Sequence, residues 1–234
     1  MSGESKGLAT PAARLSAFPE ALPGETSLLP QCLYPRGAVL CREGDPVVVL
    51  YVIDAGTVKL VRGDAGGRTC IVGLRSCGWL VGSTAAILHR SHAVTAITVT
   101  DCVLRPLLLE AFAPSAANPA FASWLNRMMA REVSEQMLTI ARFAALSTRA
   151  RLEHLLVQLM SPLGGAGSSN GHGFEVPLNR EELAQLVGST KEHVGRLLTR
   201  MVTQGTIVRD GTVVVVPTSS SLFRIASARR LPAV

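Results

Sequence analysis

The chain has 234 residues, with 23 Lys and Arg against 17 Asp and Glu and a formal charge of +6. That length suits two modest domains with separate cores, and the basic excess suits a polyanionic partner without proving one. No run of eighteen apolar residues occurs and Met1 to Pro11 lacks the apolar stretch of a signal peptide, so a membrane span and a secreted fate are not expected and the protein reads as cytoplasmic.

Residues 1–29 mix Pro, Gly, Ser and Ala and read as a loosely held tail, with a short helix around Arg14 to Phe18. From 30 to 112 the chain breaks into short apolar runs punctuated by glycine: AVLC, VVVLYVI, TVKLV, TCIVGL, AVTAITVT and CVLRPLLL. Gly44 and Asp45 before Pro46, and Asp54, Ala55 and Gly56 before Thr57, supply turns between them. The pattern is an antiparallel all-β unit, and by composition alone an ordinary β-sandwich would be the preferred reading. Five cysteines, at 32, 41, 70, 77 and 102, form no CxxC pair and have no His at zinc spacing. They are expected reduced and mostly buried, with a redox role for one of them left open.

From 113 to 146 helix formers take over, and glycine is absent between Pro119 and Leu146. Leu125, Met129, Val133, Met137, Ile140 and Ala144 recur at steps of four and three, a stripe suited to packing against a second copy of itself. The first five are the expected dimer interface, and the segment is the expected dimerisation helix. Phe121, Trp124 and Met128 lie to one side of the stripe and are expected to cover the β unit. At Ser147 and Thr148 the pattern restarts, because a hydroxyl side chain can cap a new helix whose apolar positions are Leu152, Leu155, Leu156 and Leu159. The break marks a candidate hinge over Phe143 to Thr148. His154 has no ligand partner at helical spacing and reads as an ordinary polar histidine.

The stretch SPLGGAGSSNGHG is a loop by composition, and FEVPL reads as a short strand. Asn179 with Glu182 three residues on makes a capping box for a helix that stops at Gly188. Thr190 caps a second helix running to about Gln204, on which Val194, Leu197, Leu198 and Met201 form a buried stripe. TIVRDGTVVVVP follows as strand, Asp-Gly turn and strand. Two helices joined by a tight glycine turn and followed by a β-hairpin are a winged helix-turn-helix, spanning 147–218, with 219–234 left as a C-terminal tail. The fold class is therefore α+β: an N-terminal antiparallel β unit, a long helix and a C-terminal winged helix-turn-helix.

The second helix of such a unit enters the major groove by its N-terminal end. Lys191, Glu192, His193 and Arg196 are the candidate base readers: Arg196 can fork onto guanine O6 and N7, Glu192 can accept from cytosine N4, and Lys191 can donate to guanine or phosphate. Gly195 between them lets the backbone sit low. Asn179, Arg180, Ser189 and Thr190, at the two helix starts, are candidate phosphate contacts that set register. For each charged residue the bland alternative is a solvated helix face.

LNREELAQLVGSTKEHVGRLL, REGDPVVVLYVIDAGTVKL and VTAITVTDCVL together resemble the CRP/FNR family of bacterial transcription regulators, over about Leu33 to Pro217. The resemblance implies a cyclic-nucleotide-binding-type β-roll and a homodimer in which an effector reorients two winged helices toward a two-fold site on double-stranded DNA. It also implies RNA polymerase as a further partner. Lys191, Glu192 and Arg196 then occupy the base-reading positions, the first more often Arg in the cAMP-responsive branch, and a GTGA-like half-site follows. His193 stands where that branch has a small hydroxyl residue, which leaves the operator preference open.

The departures bear on the effector. In cAMP-binding members the β-roll carries Gly-Glu for the ribose and Arg-Ser for the cyclic phosphate; here Ser83 follows Gly82, and His92 and Ala93 stand near the phosphate pair, with Arg90 and Ser91 two residues early. A cyclic phosphate needs a fixed cation and several donors in place of its water. With that cation missing, cAMP or cGMP is not the expected ligand. Gln136 and Met137 replace the hydroxyl residues that the same branch sets against the base. The candidate effector pocket is Gly82, Ser83, Thr84, His92 and Gln136. The N-terminus lacks the cysteine cluster of iron-sulfur members, and haem would have only His89 and His92 as candidate ligands. With no phosphate loop, metal-ligand cluster or Ser-His-acid set on identifiable neighbouring elements, an enzyme is not expected. The rival reading is a ligand-binding module that controls a protein partner through its winged helix.

Overall fold

The computed structural model describes residues 29–63, 66–67, 69–160, 173–211 and 213–228. The N-terminal unit contains β1 (Cys32–Tyr34), β2 (Val39–Cys41), β3 (Val49–Ala55), β4 (Val58–Gly63), β5 (Thr69–Arg75), β6 (Leu80–Val81), the short helix α1 (Ser83–Ile87), β7 (Thr95–Thr98) and β8 (Cys102–Leu108). The strands form two four-stranded antiparallel sheets, ordered β1-β8-β3-β6 and β2-β7-β4-β5. Leu50 and Val52 alternate along β3 and Leu107 of β8 pairs with Leu50, while Leu104 pairs with Ile53; all are buried in one core with Leu40, Val58 and Ala96 of the other sheet. The register of β3 slips between Ile53 and Ala55. Asp54 lies at that bulge and receives both arms of Arg105, each at 2.7 Å. Gly56 next to it has φ +94, and a Cβ there would come within 2.6 Å of Asp101 O and Cys102 Sγ.

All six expected runs are strands. Sequence periodicity had no hold on β1, β6 and α1, which are two to five residues long. The cysteines depart from expectation: Cys102 is buried, Cys41 and Cys77 are half-buried, and Cys32 and Cys70 are exposed, all five as free thiols. Burial pushes the thiols of Cys41 and Cys102 up, against thiolate formation.

The expected helix over 113–146 is two helices, α2 (Leu109–Ala116) and α3 (Pro119–Ala145). Asn118 caps α3, accepting from the amides of Ala120 and Phe121. Phe121, Trp124 and Met128 bury themselves in the β-unit core, and Met128 Sδ accepts from Leu80 N at 3.2 Å. Leu125 and Met129, expected at a dimer interface, also turn into that core; Leu125 is only 8% exposed. Farther along the same stripe Val133, Met137 and Ile140 are 59, 65 and 68% exposed. The helix outruns the β unit after about its third turn, so one continuous apolar stripe serves the chain's own core first and then faces outward.

Leu146 ends α3 in extended conformation (φ −108, ψ 144), and α4 (Thr148–Met160) restarts where the hinge was placed, with Ser147 Oγ accepting from Ala150 N at 3.3 Å. The C-terminal unit continues with β9 (Gly173–Val176), α5 (Arg180–Val187), α6 (Lys191–Thr203), β10 (Val208–Asp210), β11 (Val213–Pro217) and α7 (Ser221–Ala228). Its three-stranded sheet runs β10-β11-β9. Helix α7 corrects the expected C-terminal tail: Leu222 and Ala226 are buried in the same core as Leu152, Leu156, Leu198 and Met201. The helix expected at Arg14 to Phe18 and the loop between α4 and β9 fall outside the described residues.

Candidate nucleic-acid interface

The local chemistry of the two central helices follows the sequence closely. Asn179 Oδ1 accepts from Glu182 N at 3.0 Å while Glu182 Oε2 accepts from Asn179 N at 2.8 Å, a reciprocal capping box. Gly188 closes α5 in left-handed conformation at φ +60, and Thr190 Oγ1 accepts from His193 N at 3.2 Å to start α6. Val194, Leu197, Leu198 and Met201 are buried. The opposite face therefore has no choice but to point outward: Lys191, Glu192 and Arg196 are exposed, and His193 is half-buried at the edge of the packed face.

Between α6 and the β10-β11 wing lies an open basin of about 430 Å³, lined by Arg180, Glu192, Gly195, Arg196, Thr199, Arg200 and Arg209. Arg180 crosses the notch at Gly195, where a Cβ would meet its Cδ and Nη1 at 3.4 Å. Gly195 thus makes room for Arg180. The guanidinium groups of Arg180, Arg196 and Arg200 form no ion pair among the described residues. Four arginines around one open hollow with a single carboxylate make a positive surface suited to an anion. Sequence reading missed Arg200 and Arg209. Arg200 follows Arg196 by one turn, which was readable; Arg209 reaches the basin only because the wing folds back. Among the expected phosphate contacts, the side-chain oxygens of Asn179 and Thr190 both accept capping bonds, which leaves the exposed Thr190 its hydroxyl hydrogen to donate, and the Arg180 guanidinium is unpaired among the described residues.

The expected effector residues are only partly brought together. Gly82 (φ +92) and His92 meet, since a Cβ on Gly82 would lie 3.3 Å from His92 Cε1. His92 is buried, its main chain exchanging hydrogen bonds with Gly44 and Asp45, and burial lowers its pKa against the raising influence of Asp45. Ser83 is buried and donates to Leu80 O at 3.0 Å, while Thr84, Arg90 and Ser91 are exposed. Gln136 belongs elsewhere: it lines a cleft of about 300 Å³ where β5, α3, α4 and α5 converge, with Trp79, Arg142, His154 and Gln185. His154 serves that cleft as a polar wall.

The two units touch. Lys59 of β4 donates to Glu182 Oε1 at 2.6 Å, Ile71 N of the edge strand β5 donates to Gln185 Oε1 at 3.2 Å, and Arg36 donates to Pro177 O at 2.9 Å.

Residues 31–114 match the cyclic nucleotide-binding domain family and residues 150–222 match the Crp-like helix-turn-helix domain family. The chain belongs to the CRP/FNR family of transcription regulators. It is 29% identical over 175 residues to the transcriptional regulatory protein btr of Bordetella pertussis, covering 74% of this chain and 71% of that protein. It is 27% identical over 211 residues to a CRP-like cAMP-activated global transcriptional regulator of Mycobacterium tuberculosis, covering 89% and 93%. A solved CRP/FNR regulator of Thermus thermophilus superposes with a TM-score of 0.69 at 23% identity, covering 86% of this chain and all of that one. The site beside Gly82 holds the buried imidazole of His92, whose pKa burial lowers. A neutral imidazole supplies one donor and no charge. Among the described residues no helix is long and apolar enough to cross a membrane, and no cluster of three or more His, Cys, Asp or Glu is placed to hold a metal.

Proposed function

We propose that the protein acts as a homodimer that reads a two-fold DNA operator through Lys191, Glu192, His193 and Arg196, with Arg180, Ser189 and Thr190 holding phosphate. The observation that carries this reading is the arginine basin at the junction of α6 and the wing, set on a helix whose other face is fully packed. Such a helix is rigid, and its charged face is free to enter a major groove. Homodimerisation is supported by Val133, Met137 and Ile140, which face outward at helical spacing on a helix that otherwise packs. A GTGA-like half-site fits guanine contacts from Lys191 and Arg196 and a cytosine contact from Glu192. His193, half-buried, contributes less to the choice.

The effector of this chain is not a cyclic mononucleotide on this reading, although the mycobacterial relative is named cAMP-activated. His92 is too poorly charged, and Arg90 too exposed, to replace the water of a cyclic phosphate. The test is selection from a random duplex pool by the purified protein, followed by titration of the selected site across salt. A palindromic GTGA-like consensus with steeply salt-dependent affinity is expected. Absence of duplex binding even at low salt would instead favour docking of the winged helix on a protein.

A further inference from the structure

Helix C-termini leave carbonyls without intrahelical partners and concentrate partial negative charge. Two such ends converge in this chain, that of α3 at Phe143 to Leu146 and that of α5 at Val187, and one guanidinium stands between them. Arg151, one turn into α4, donates from Nε to Val187 O at 2.9 Å and from Nη1 to Leu146 O at 2.7 Å, with a longer approach to Phe143 O at 3.5 Å. Its Nη2 reaches Thr148 Oγ1 at 3.3 Å, and its plane lies over the Phe143 ring at 5.0 Å. The same ring abuts the helix-turn-helix turn: a Cβ on Gly188 would sit 2.5 Å from Phe143 Cε1. Two residues past Gly188, Thr190 caps the reading helix. The end of the long helix, the cation and the turn therefore form one joint, bridging a main chain that is otherwise free to bend at the extended Leu146.

We infer that Arg151 is a positioning residue that fixes the angle between the long helix and the reading helix, and so selects the half-site spacing the protein accepts. The inference rests on the homodimer reading above. Slack of roughly 10° about the joint turns the whole winged helix as a body, and at the end of an arm of about 20 Å, the span of the 13 residues of α6, that is a displacement of about 3.4 Å, one base-pair step. Arg151 touches no DNA in this scheme. It removes angular freedom that the backbone at Leu146 would otherwise allow.

The test uses the full chain and its selected operator, plus operators with one or two base pairs inserted or deleted at the centre. Wild type is expected to lose at least about tenfold in affinity per altered spacing, because one of its two readers leaves its half-site. Arg151→Met keeps the apolar stem and loses every donor. It is expected to bind the native operator several-fold more weakly and to show spacing variants within about threefold of one another, with unchanged mass in light scattering and unchanged affinity for an isolated half-site. Arg151→Lys should recover part of the discrimination. If Arg151→Met does not fold, Phe143→Leu opens the same joint from the other side and must flatten the spacing profile likewise. A variant that folds and keeps the wild-type spacing ratios overturns the inference. A wild-type protein indifferent to spacing overturns the homodimer reading, and this inference with it.

Discussion

Arg196→Ala isolates the reading function from the fold. The side chain is exposed and forms no ion pair among the described residues, so its loss leaves no buried partner stranded. A stability change within about 0.5 kcal/mol is expected from such a surface position. On DNA the account differs. A bidentate arginine-guanine pair is worth about 1–3 kcal/mol of discrimination, and a two-fold complex contains two, so the operator should lose roughly 2–6 kcal/mol, about 30-fold to more than 10⁴-fold. Duplexes permuted at that base pair should lose little. Arg180, Arg200 and Arg209, as phosphate contacts, should behave otherwise: each truncation weakens all sequences alike and lowers the salt slope by about 1.8 per dimer, two phosphates at about 0.9 each. Fluorescence anisotropy of operator and permuted duplexes between about 50 and 200 mM salt separates the two classes. An Arg196→Ala protein that kept its preference at every base pair, or that lost all duplexes equally with a shallower salt slope, would show that α6 meets DNA on a different face.

Ile140→Glu should yield monomers by light scattering: each Ile140 passing from 68% exposure to burial contributes on the order of 1–2 kcal/mol, twice in a symmetric pair, and a buried carboxylate adds its own penalty. A dimer of unchanged mass would remove this face of α3 from the interface. Gly188→Ala meets both a left-handed backbone at φ +60 and the Phe143 ring at 2.5 Å, and is expected to cost about 1–3 kcal/mol and several degrees of Tm. Phe143→Ala in the same chain should restore part of it, and strict additivity of the two changes would refute the contact. His92 has a folded-state pKa below its unfolded value, so the unfolded chain binds more protons: stability is full well above the unfolded pKa near 6.5 and falls as pH drops through it. Urea titrations of wild type and His92→Gln between about pH 5 and 8 should differ in slope in that window, and parallel curves would place the titration elsewhere.

The parts of the fold that were legible carry their signal locally. Asn179 with Glu182, Thr190, Gly188 and the Asp210-Gly211 turn each specify a cap or a reversal within four residues, and the structure uses every one. What periodicity could not supply is the identity of the packing partner. The stripe from Leu125 to Ile140 is unbroken in sequence, yet its first part meets the β unit and its later part does not, because the change occurs in the surroundings of α3 and not in the helix. Helix α7 was unread for a related reason: Leu222 and Ala226 make sense only against the core they fill. Cys32 and Cys70 show that apolar strands do not bury every residue they carry, since alternation sends half outward. Gln136 was grouped with Gly82 by resemblance alone, and the cleft it lines lies between units, where no single-element pattern could have placed it.

Two routes connect the β unit to α6, and their strengths differ. The direct contacts are one ion pair, Lys59 with Glu182, two hydrogen bonds, Ile71 N to Gln185 and Arg36 to Pro177 O, and the apolar edge formed by Leu74 and Val99. Removing Lys59 would leave Glu182 still bonded to Asn179 N, so breaking that pair strands no buried charge and costs on the order of 1 kcal/mol. The route through α3 is tighter. Gly82 stands three residues from Trp79, whose ring is held between Arg75 of β5 and Arg131 of α3, and the buried Arg75 pairs with Glu132 on the same helix. Separating that pair would leave a guanidinium in the interior unpaired, a cost of roughly 3–5 kcal/mol. Trp79 can shift only by moving α3 with it, and α3 ends in the Arg151 joint. Helix α6 is thus geared to the long helix and only leaned upon by the sheet, so substitutions at Lys59 should loosen the docking of the two units while those at Trp79 or Glu132 should loosen α3 from the β unit.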